Sequence, residues 1–343
     1  MSTQTRKSEH LRICAEKNVL SSHNFFDDIC FVHDCLPELD LNKIDIKTRF
    51  LGKKFDAPLM IASMTGGTNE AKKINENLAG ACQKKGIGFG AGSQRAGIEN
   101  KKLEDTYNVR HVAKDIFVYA NLGAVQMNCG YSFEKYKKAA EMINADAVAV
   151  HLNALQESVQ KEGDVNFENI LEKIKETCSK ISFPVIAKET GAGINYENSM
   201  KLKEAGVKAL MTDGLGGTSW SLVEHYRGSE KAFLFKDWGI PSPVCIKECS
   251  KTGLPVVAGG GIRNGLDIAK ALALGADIAQ SAIVFLAPSM KSQKDVEKKI
   301  ESMIRELKTA MFLTGSKNIN ELRKKKLIIK GELKDWFIQL SLL

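Results

Sequence analysis

Seven consecutive residues, His151, Leu152, Asn153, Ala154, Leu155, Gln156 and Glu157, place an imidazole, two amides and a carboxylate directly after the apolar run AVAV. Imidazole moves protons near neutral pH, amides orient polar ligands, and a carboxylate takes a hard cation through oxygen. On residue type alone His151 is equally a hydrogen-bonded structural histidine, and Glu157 one solvated acid among many. Lys188 closes another apolar run, so its ammonium must emerge beyond the run or find an anionic partner. Three chemistries stay open for it: a Schiff base, a charge against a flavin edge that turns anionic on reduction, or a snorkelling structural lysine. Arg95 follows Ser93 and Gln94, and guanidinium pairs bidentately with phosphate oxygens; the alternative is an exposed helix-cap arginine. The turn GGGIRNG at 259–265 suits a phosphate cradled on backbone N–H groups and a helix N-terminus, or else a tight turn alone.

Residues this far apart can share a site only if strand ends are gathered together. From residue 57 short apolar runs alternate with amphipathic, charge-rich stretches, which is the βα signature. The runs predict strands at 57–63, 86–90, 116–121, 147–151, 184–188, 207–211, 255–259 and 278–282, with helices including 69–84, 133–144, 166–179, 196–205 and 265–274. Eight such units favour an α/β fold closed as a (β/α)₈ barrel, whose active site lies at the C-terminal strand ends. Those ends are polar here: Ser63, Met64, Thr65, Gly66 and Gly67 after the first, Asn121 after the third, Lys188 and Glu189 after the fifth. Residues 1–56 are expected to form an N-terminal extension and lid arm. The barrel is placed at 57–290 with an insertion near 214–250, and a C-terminal helix and cap at 291–343.

The composition is that of a globular chain, 43% hydrophobic and 26% charged, with enough apolar material for a large core. The 49 Lys and Arg exceed the 41 Asp and Glu by eight, which suits an anionic ligand or a nucleic acid, and charge alone does not choose between them. Basic residues are dispersed apart from Arg323, Lys324, Lys325 and Lys326, and no zinc-finger or RNA-binding aromatic pattern occurs, so no nucleic-acid partner is expected. No CxxC pair occurs among the eight cysteines, and no run approaches a membrane span, so a reduced cytoplasmic setting is expected.

These segments together resemble the type 2 isopentenyl diphosphate isomerases, FMN-dependent barrel enzymes. The resemblance is carried, in order, by RKSEH (6–10), MTGG (64–67), GAGSQRA (90–96), ANLGAVQ (120–126), HLNALQESVQKEGD (151–164), AKETGAGI (187–194), GGTSW (216–220), WGIP (238–241), GGGIRNGLDIAKALALGAD (259–277) and MFLTGSKNI (311–319). It implies FMN contacts from Ser63, Met64, Thr65, Gly66, Ser93, Asn121, Lys188, Asp213, Thr218, Gly260, Gly261, Ile262, Arg263, Ser281 and Ala282. It implies substrate contacts from Arg6, Lys7, Ser93, Gln94, Arg95, Asn153 and Gln156, catalytic roles for Gln156, His151 and Lys188, and Mg²⁺ on Glu157. The implied activity interconverts isopentenyl and dimethylallyl diphosphate with reduced FMN, NADPH serving as reductant, in a homotetramer or homo-octamer. Three positions depart from the family pattern: Ala154 stands in place of a usual proline, Asp213 in place of a small residue, and Ser281 in place of a frequent methionine. Two rivals remain at this level: another FMN barrel of the 2-hydroxy-acid oxidase kind, and a flavin- or phosphate-binding protein without turnover.

Overall fold

A computed structural model describes residues 3–343. Eight parallel strands close into a barrel: Leu59–Ile61, Gly88–Gly90, Val118–Gly123, Ala147–Leu152, Val185–Glu189, Ala209–Met211, Val256–Ala258 and Ile278–Ser281. Each pairs with its sequence neighbours, and the eighth closes on the first through Ala279 opposite Leu59. The (β/α)₈ expectation is met, and every strand lies inside or within two residues of its predicted run. The strands are apolar on both faces because helices cover them outside while side chains fill the barrel inside.

Local signals set the helix ends. The helix Gly265–Leu274 opens where the Asn264 side chain accepts from the Asp267 N–H, and closes at Gly275, whose φ of 118° ends the helical path. The helix Asn69–Lys85 is framed in the same way by Thr68 and Gly86. A hairpin of Thr48–Phe50 and Lys53–Phe55, within the N-terminal extension, plugs the N-terminal end of the barrel. Its Phe50 and Phe55 meet Phe117, Tyr119 and Met60 in one buried cluster.

Three differences from the sequence reading bear on the site. The extension begins with a 14-residue helix, Thr3–Glu16, where only a charged arm was expected. The stretch after 214 holds the helix Trp220–Tyr226 and then Ser242–Ser250. The second of these packs on the seventh strand as an ordinary barrel helix, so the added material is confined to about 214–241. Finally, Ile29–Phe31 pairs antiparallel with Leu327–Ile329, tying the N-terminal extension to the C-terminal cap.

Candidate active site

A cavity of about 570 Å³ occupies the C-terminal mouth of the barrel, within the range of small-molecule sites. Its walls are the strand ends, the loops after them and the N-terminal helix, which contributes Arg6, Lys7, His10, Leu11 and Cys14. That helix is clasped from outside. His10 Nε2 lies 2.9 Å from Glu224 Oε1, while Arg227 donates to Glu9, Glu224 and Glu162 at 3.1, 2.6 and 2.6 Å.

The floor of the cavity is a polar chain crossing the barrel. Lys188 donates to the Glu189 carbonyl and to Asp213 Oδ2, both at 2.6 Å. Gln280 Nε2 donates to both Asp213 oxygens at 2.9 Å, Tyr119 donates to Gln280 Oε1 at 3.2 Å, and the Ser63 N–H donates to the Tyr119 hydroxyl at 3.0 Å. All but Ser63 are buried, so each charge and dipole is satisfied within the protein. The same floor is stiffened by Glu189, whose Oε2 accepts the four consecutive N–H groups of Thr190 to Gly193 at 2.6–2.9 Å. Burial still raises the carboxyl above the ordinary range.

His151 stands beside this floor at the end of the fourth strand. Asn121 Nδ2 donates to Ser63 Oγ at 2.9 Å, which leaves Oδ1 to accept from His151 Nδ1 at 2.8 Å. That bond fixes the proton on Nδ1 and leaves Nε2 unprotonated. Burial first, then the charges of Lys188 and Lys7, lower the imidazole to about 3. At neutral pH it is therefore an uncharged hydrogen-bonding group.

One end of the cavity is built from backbone. Gly260 and Gly261 have φ of 82° and 88°, and a Cβ on Gly260 would lie 2.1 Å from the Gly214 oxygen. A Cβ on Gly217 would lie 2.6 Å from the Gly261 nitrogen. Ser281 Oγ donates to the Ile262 carbonyl at 2.5 Å, pinning the turn. The helix Ile283–Lys291 opens after Ala282 with no side-chain cap, and Ala282, Ile283 and Val284 line the cavity. Glycine turns beside an uncapped helix start are a ready anion cradle. Arg263 borders it, but its guanidinium is held by Asp27 at 2.9 and 2.5 Å and by Asp267 at 3.0 Å.

The opposite end collects cationic and amide groups. Lys7 Nζ donates to the Ser93 carbonyl at 2.5 Å and to the Tyr107 hydroxyl at 2.6 Å. Burial, reinforced by Arg6, lowers its pKa to about 7. Arg95 reaches Glu99 at 2.9 Å and Asp164 at 3.0 Å. Glu157 is buried; Oε1 accepts from Asn153 Nδ2 and Oε2 from the Asp164 N–H, each at 2.9 Å. Burial is the main influence on its carboxyl and raises it. Asn153 Oδ1 is buried with no partner. The amide of Gln160 is satisfied when it donates to Glu224 at 3.2 Å and accepts from Arg6 at 3.1 Å.

Most residues singled out in the sequence line this one cavity: Arg6, Lys7, Ser63, Met64, Thr65, Ser93, Arg95, Asn121, His151, Asn153, Gln156, Glu157, Lys188, Asp213, Thr218, Gly260 to Arg263, Ser281 and Ala282. Two do not. Gln94 is fully buried in the barrel wall, donating to the Ala139 carbonyl at 2.8 Å and accepting the Asn121 N–H at 2.9 Å, so its amide is already spent. Gly66 lies behind the wall, where a Cβ would come within 2.0 Å of the Tyr107 ring. Its role is to admit the ring whose hydroxyl holds Lys7. Sequence reasoning missed His10, Asn24, Gln126 and Gln280, all of which border the cavity. Gln126 ends the quoted ANLGAVQ block and His10 ends the quoted RKSEH block, which were usable signals; Asn24 and Gln280 had none.

The model of the FMN-dependent dehydrogenase family matches residues 8–119 and 241–329. The chain is 48% identical to the isopentenyl-diphosphate delta-isomerase of Archaeoglobus fulgidus over 342 residues, covering 98% of this chain and 99% of the relative. It is 44% identical to the protein of the same name from a Nostoc species, covering 94% of each. Among solved structures, a flavocytochrome b2 mutant with pyruvate bound superposes with a TM-score of 0.67 at 19% identity, over 94% of this chain and 82% of that one. A mandelate oxidase mutant superposes at 0.65 and 14%, over 95% and 94%. At these identities the two structures speak for the barrel alone, whereas the full-length relatives settle the closer kinship: this chain belongs to the isopentenyl-diphosphate delta-isomerase family, built on the FMN-dependent dehydrogenase barrel.

Proposed function

We propose that this protein interconverts isopentenyl and dimethylallyl diphosphate with FMN held in the barrel mouth. One observation carries the reading: a single cavity has a backbone anion cradle at one end, cations and amides at the other, and an uncharged histidine between them. The first end fits the FMN phosphate, and Lys188 fits the ring edge that becomes anionic on reduction. The second end, Arg6, Lys7, Ser93 and Asn153 with Arg95 at its rim, fits a diphosphate. Among the described residues no three metal-ligating side chains converge. A Mg²⁺ ion would therefore rest on Glu157, the orphaned oxygen of Asn153 and substrate oxygens, the usual arrangement for this cation.

Substrate and product have the same oxidation state, so the chemistry is proton addition at one carbon and removal at another. Reduced FMN, when bound, supplies an electron-rich ring that steadies developing positive charge and can exchange a proton. Everything else falls to the chain. Lys188 steadies the reduced ring, the N-terminal helix excludes water, and His151 stays uncharged beside the reacting carbons, where an imidazolium would oppose a carbocation. Gln156 is placed to orient or relay the second proton, and the unprotonated Nε2 of His151 can orient it by accepting a hydrogen bond while the ring stays uncharged. NADPH as reductant, a homotetramer or homo-octamer and a cytoplasmic setting complete the proposal. The oligomer draws support from the exposed apolar side chains of Phe233, Leu234 and Trp238, which suit a subunit contact. Among the described residues no helix is long and apolar enough to cross a membrane.

In an anaerobic assay in deuterated water, product should accumulate well beyond the reductant supplied and carry deuterium. Equal activity with oxidised FMN, or one reductant consumed per product, would sink the proposal in favour of an oxidoreductase. A second expectation concerns the cradle. Gly260→Ala meets both a positive φ and the Gly214 oxygen, together about 2–5 kcal/mol. FMN affinity should drop by about a hundredfold or more, nearly 3 kcal/mol, in a fluorescence titration of the apoprotein. Wild-type affinity would remove this turn from the cofactor site.

A further inference from the structure

Asp213 is an unusual residue to find under this cavity. Its φ of 28° is positive, a region that non-glycine residues enter at a cost. Its carboxylate also requires a bare neighbour, since a Cβ on Gly259 would lie 1.7 Å from Oδ1. The backbone is thus bent, and a glycine kept opposite, to put a negative charge 2.6 Å from Lys188. Fold stability does not explain this, because a buried ion pair seldom outperforms apolar packing of equal volume. Gln280 fixes the carboxylate by donating to both of its oxygens. The lysine is doubly held, by Asp213 and by the Glu189 carbonyl.

We propose that Asp213 is a positioning residue for the flavin chemistry: it clamps Lys188, offsets its charge, and so keeps the reduction potential of bound FMN low. An isolated lysine beside the ring would favour the anionic reduced form strongly and make it a weak electron donor. With Asp213 in place the pair is neutral, and the reduced ring keeps more of its electron density for steadying positive charge on substrate. Lys188 and Asp213 are both buried, so their charges are screened much less than surface charges would be. This inference rests on FMN binding in the cavity as proposed above.

The test is the midpoint potential of bound FMN in the wild-type holoprotein, Asp213→Asn and Asp213→Gly, measured anaerobically against reference dyes. Asn keeps the shape and tolerates positive φ, and Gly removes the backbone strain, so at least one variant should fold. Loss of the charge should favour the reduced form by tenfold or more, a rise of about 30 mV for a two-electron couple. Sulfite, which adds to flavins held beside positive charge, should bind more tightly in the same variants. A purely structural Asp213 would alter melting temperature and FMN affinity but leave the potential unmoved. An unshifted or lowered potential in a variant that holds FMN overturns this inference alone. Wild-type protein that takes up no FMN overturns the flavin reading, and this inference with it.

Discussion

Replacing Lys7 by methionine is expected to lower kcat/KM on isopentenyl diphosphate by about 30- to 5,000-fold, with FMN uptake intact. The estimate is the about 2–5 kcal/mol lost when a buried charge-assisted contact is truncated. Lys7 reaches the cavity from a helix outside the barrel and is held by the Ser93 carbonyl and the Tyr107 hydroxyl, away from the glycine cradle. Its pH behaviour sharpens the test. Burial, then Arg6, bring the ammonium down to about 7, and only the charged form attracts a diphosphate. The rate on free enzyme should therefore fall as pH rises through about 7, and this limb should vanish in Lys7→Met.

Stability should move the other way. The folded pKa lies below the unfolded value, so between them the unfolded chain binds the extra proton and stability rises with pH across that window. Below about pH 7 the wild type carries the penalty of holding a partly buried ammonium. Lys7→Met should then melt higher than wild type at pH 6, with the difference fading as pH approaches 10.5. Deleting residues 1–8 should reproduce the activity loss. A variant that melts lower at pH 6 and turns over normally would make Lys7 a packing residue.

The contrast between Lys7 and Lys188 shows what a linear sequence exposes. Lys188 ends a continuous apolar run, so its place at a strand end was readable from the residues alone, while the choice between an emerging and a paired ammonium was not. The eight strands were readable for the same reason, and the helix Gly265–Leu274 was found with identical ends because asparagine and glycine bracket it. The helix Thr3–Glu16 escaped because its inward face is polar: Arg6, Lys7 and His10 turn toward the cavity, while Leu11 and Ile13 are buried beside them. A helix that packs on a ligand site lacks the apolar stripe on which periodicity depends. Gln94 misled for a related reason. It sits between Ser93 and Arg95, but the turn into the helix Arg95–Glu99 sends its side chain into the wall. The Lys188, Asp213 and Gln280 contact joins residues 25 and 67 positions apart, and only barrel closure brings them together.

Glu157→Gln should raise the Mg²⁺ concentration for half-maximal activity by at least about 10- to 100-fold, the loss typical when only a supporting partner of a metal ligand is removed. The substitution deletes the charge but keeps the shape. One oxygen can still accept from Asn153, although the new amide faces the Asp164 N–H, donor against donor. A modest drop in melting temperature is thus expected and does not itself count for the metal. The pH dependence does. Burial raises the Glu157 carboxyl, and the cation needs the ionised form, so the wild-type Mg²⁺ requirement should grow as pH falls toward the raised value. The glutamine variant has no such proton to lose, and its weak requirement should stay flat over the same range. Asn153→Ala, which removes the orphaned oxygen, should also weaken the Mg²⁺ response while leaving the Glu157 charge in place. Identical Mg²⁺ titrations for wild type and Glu157→Gln at mildly acidic pH would return this carboxylate to a structural role and move the cation elsewhere.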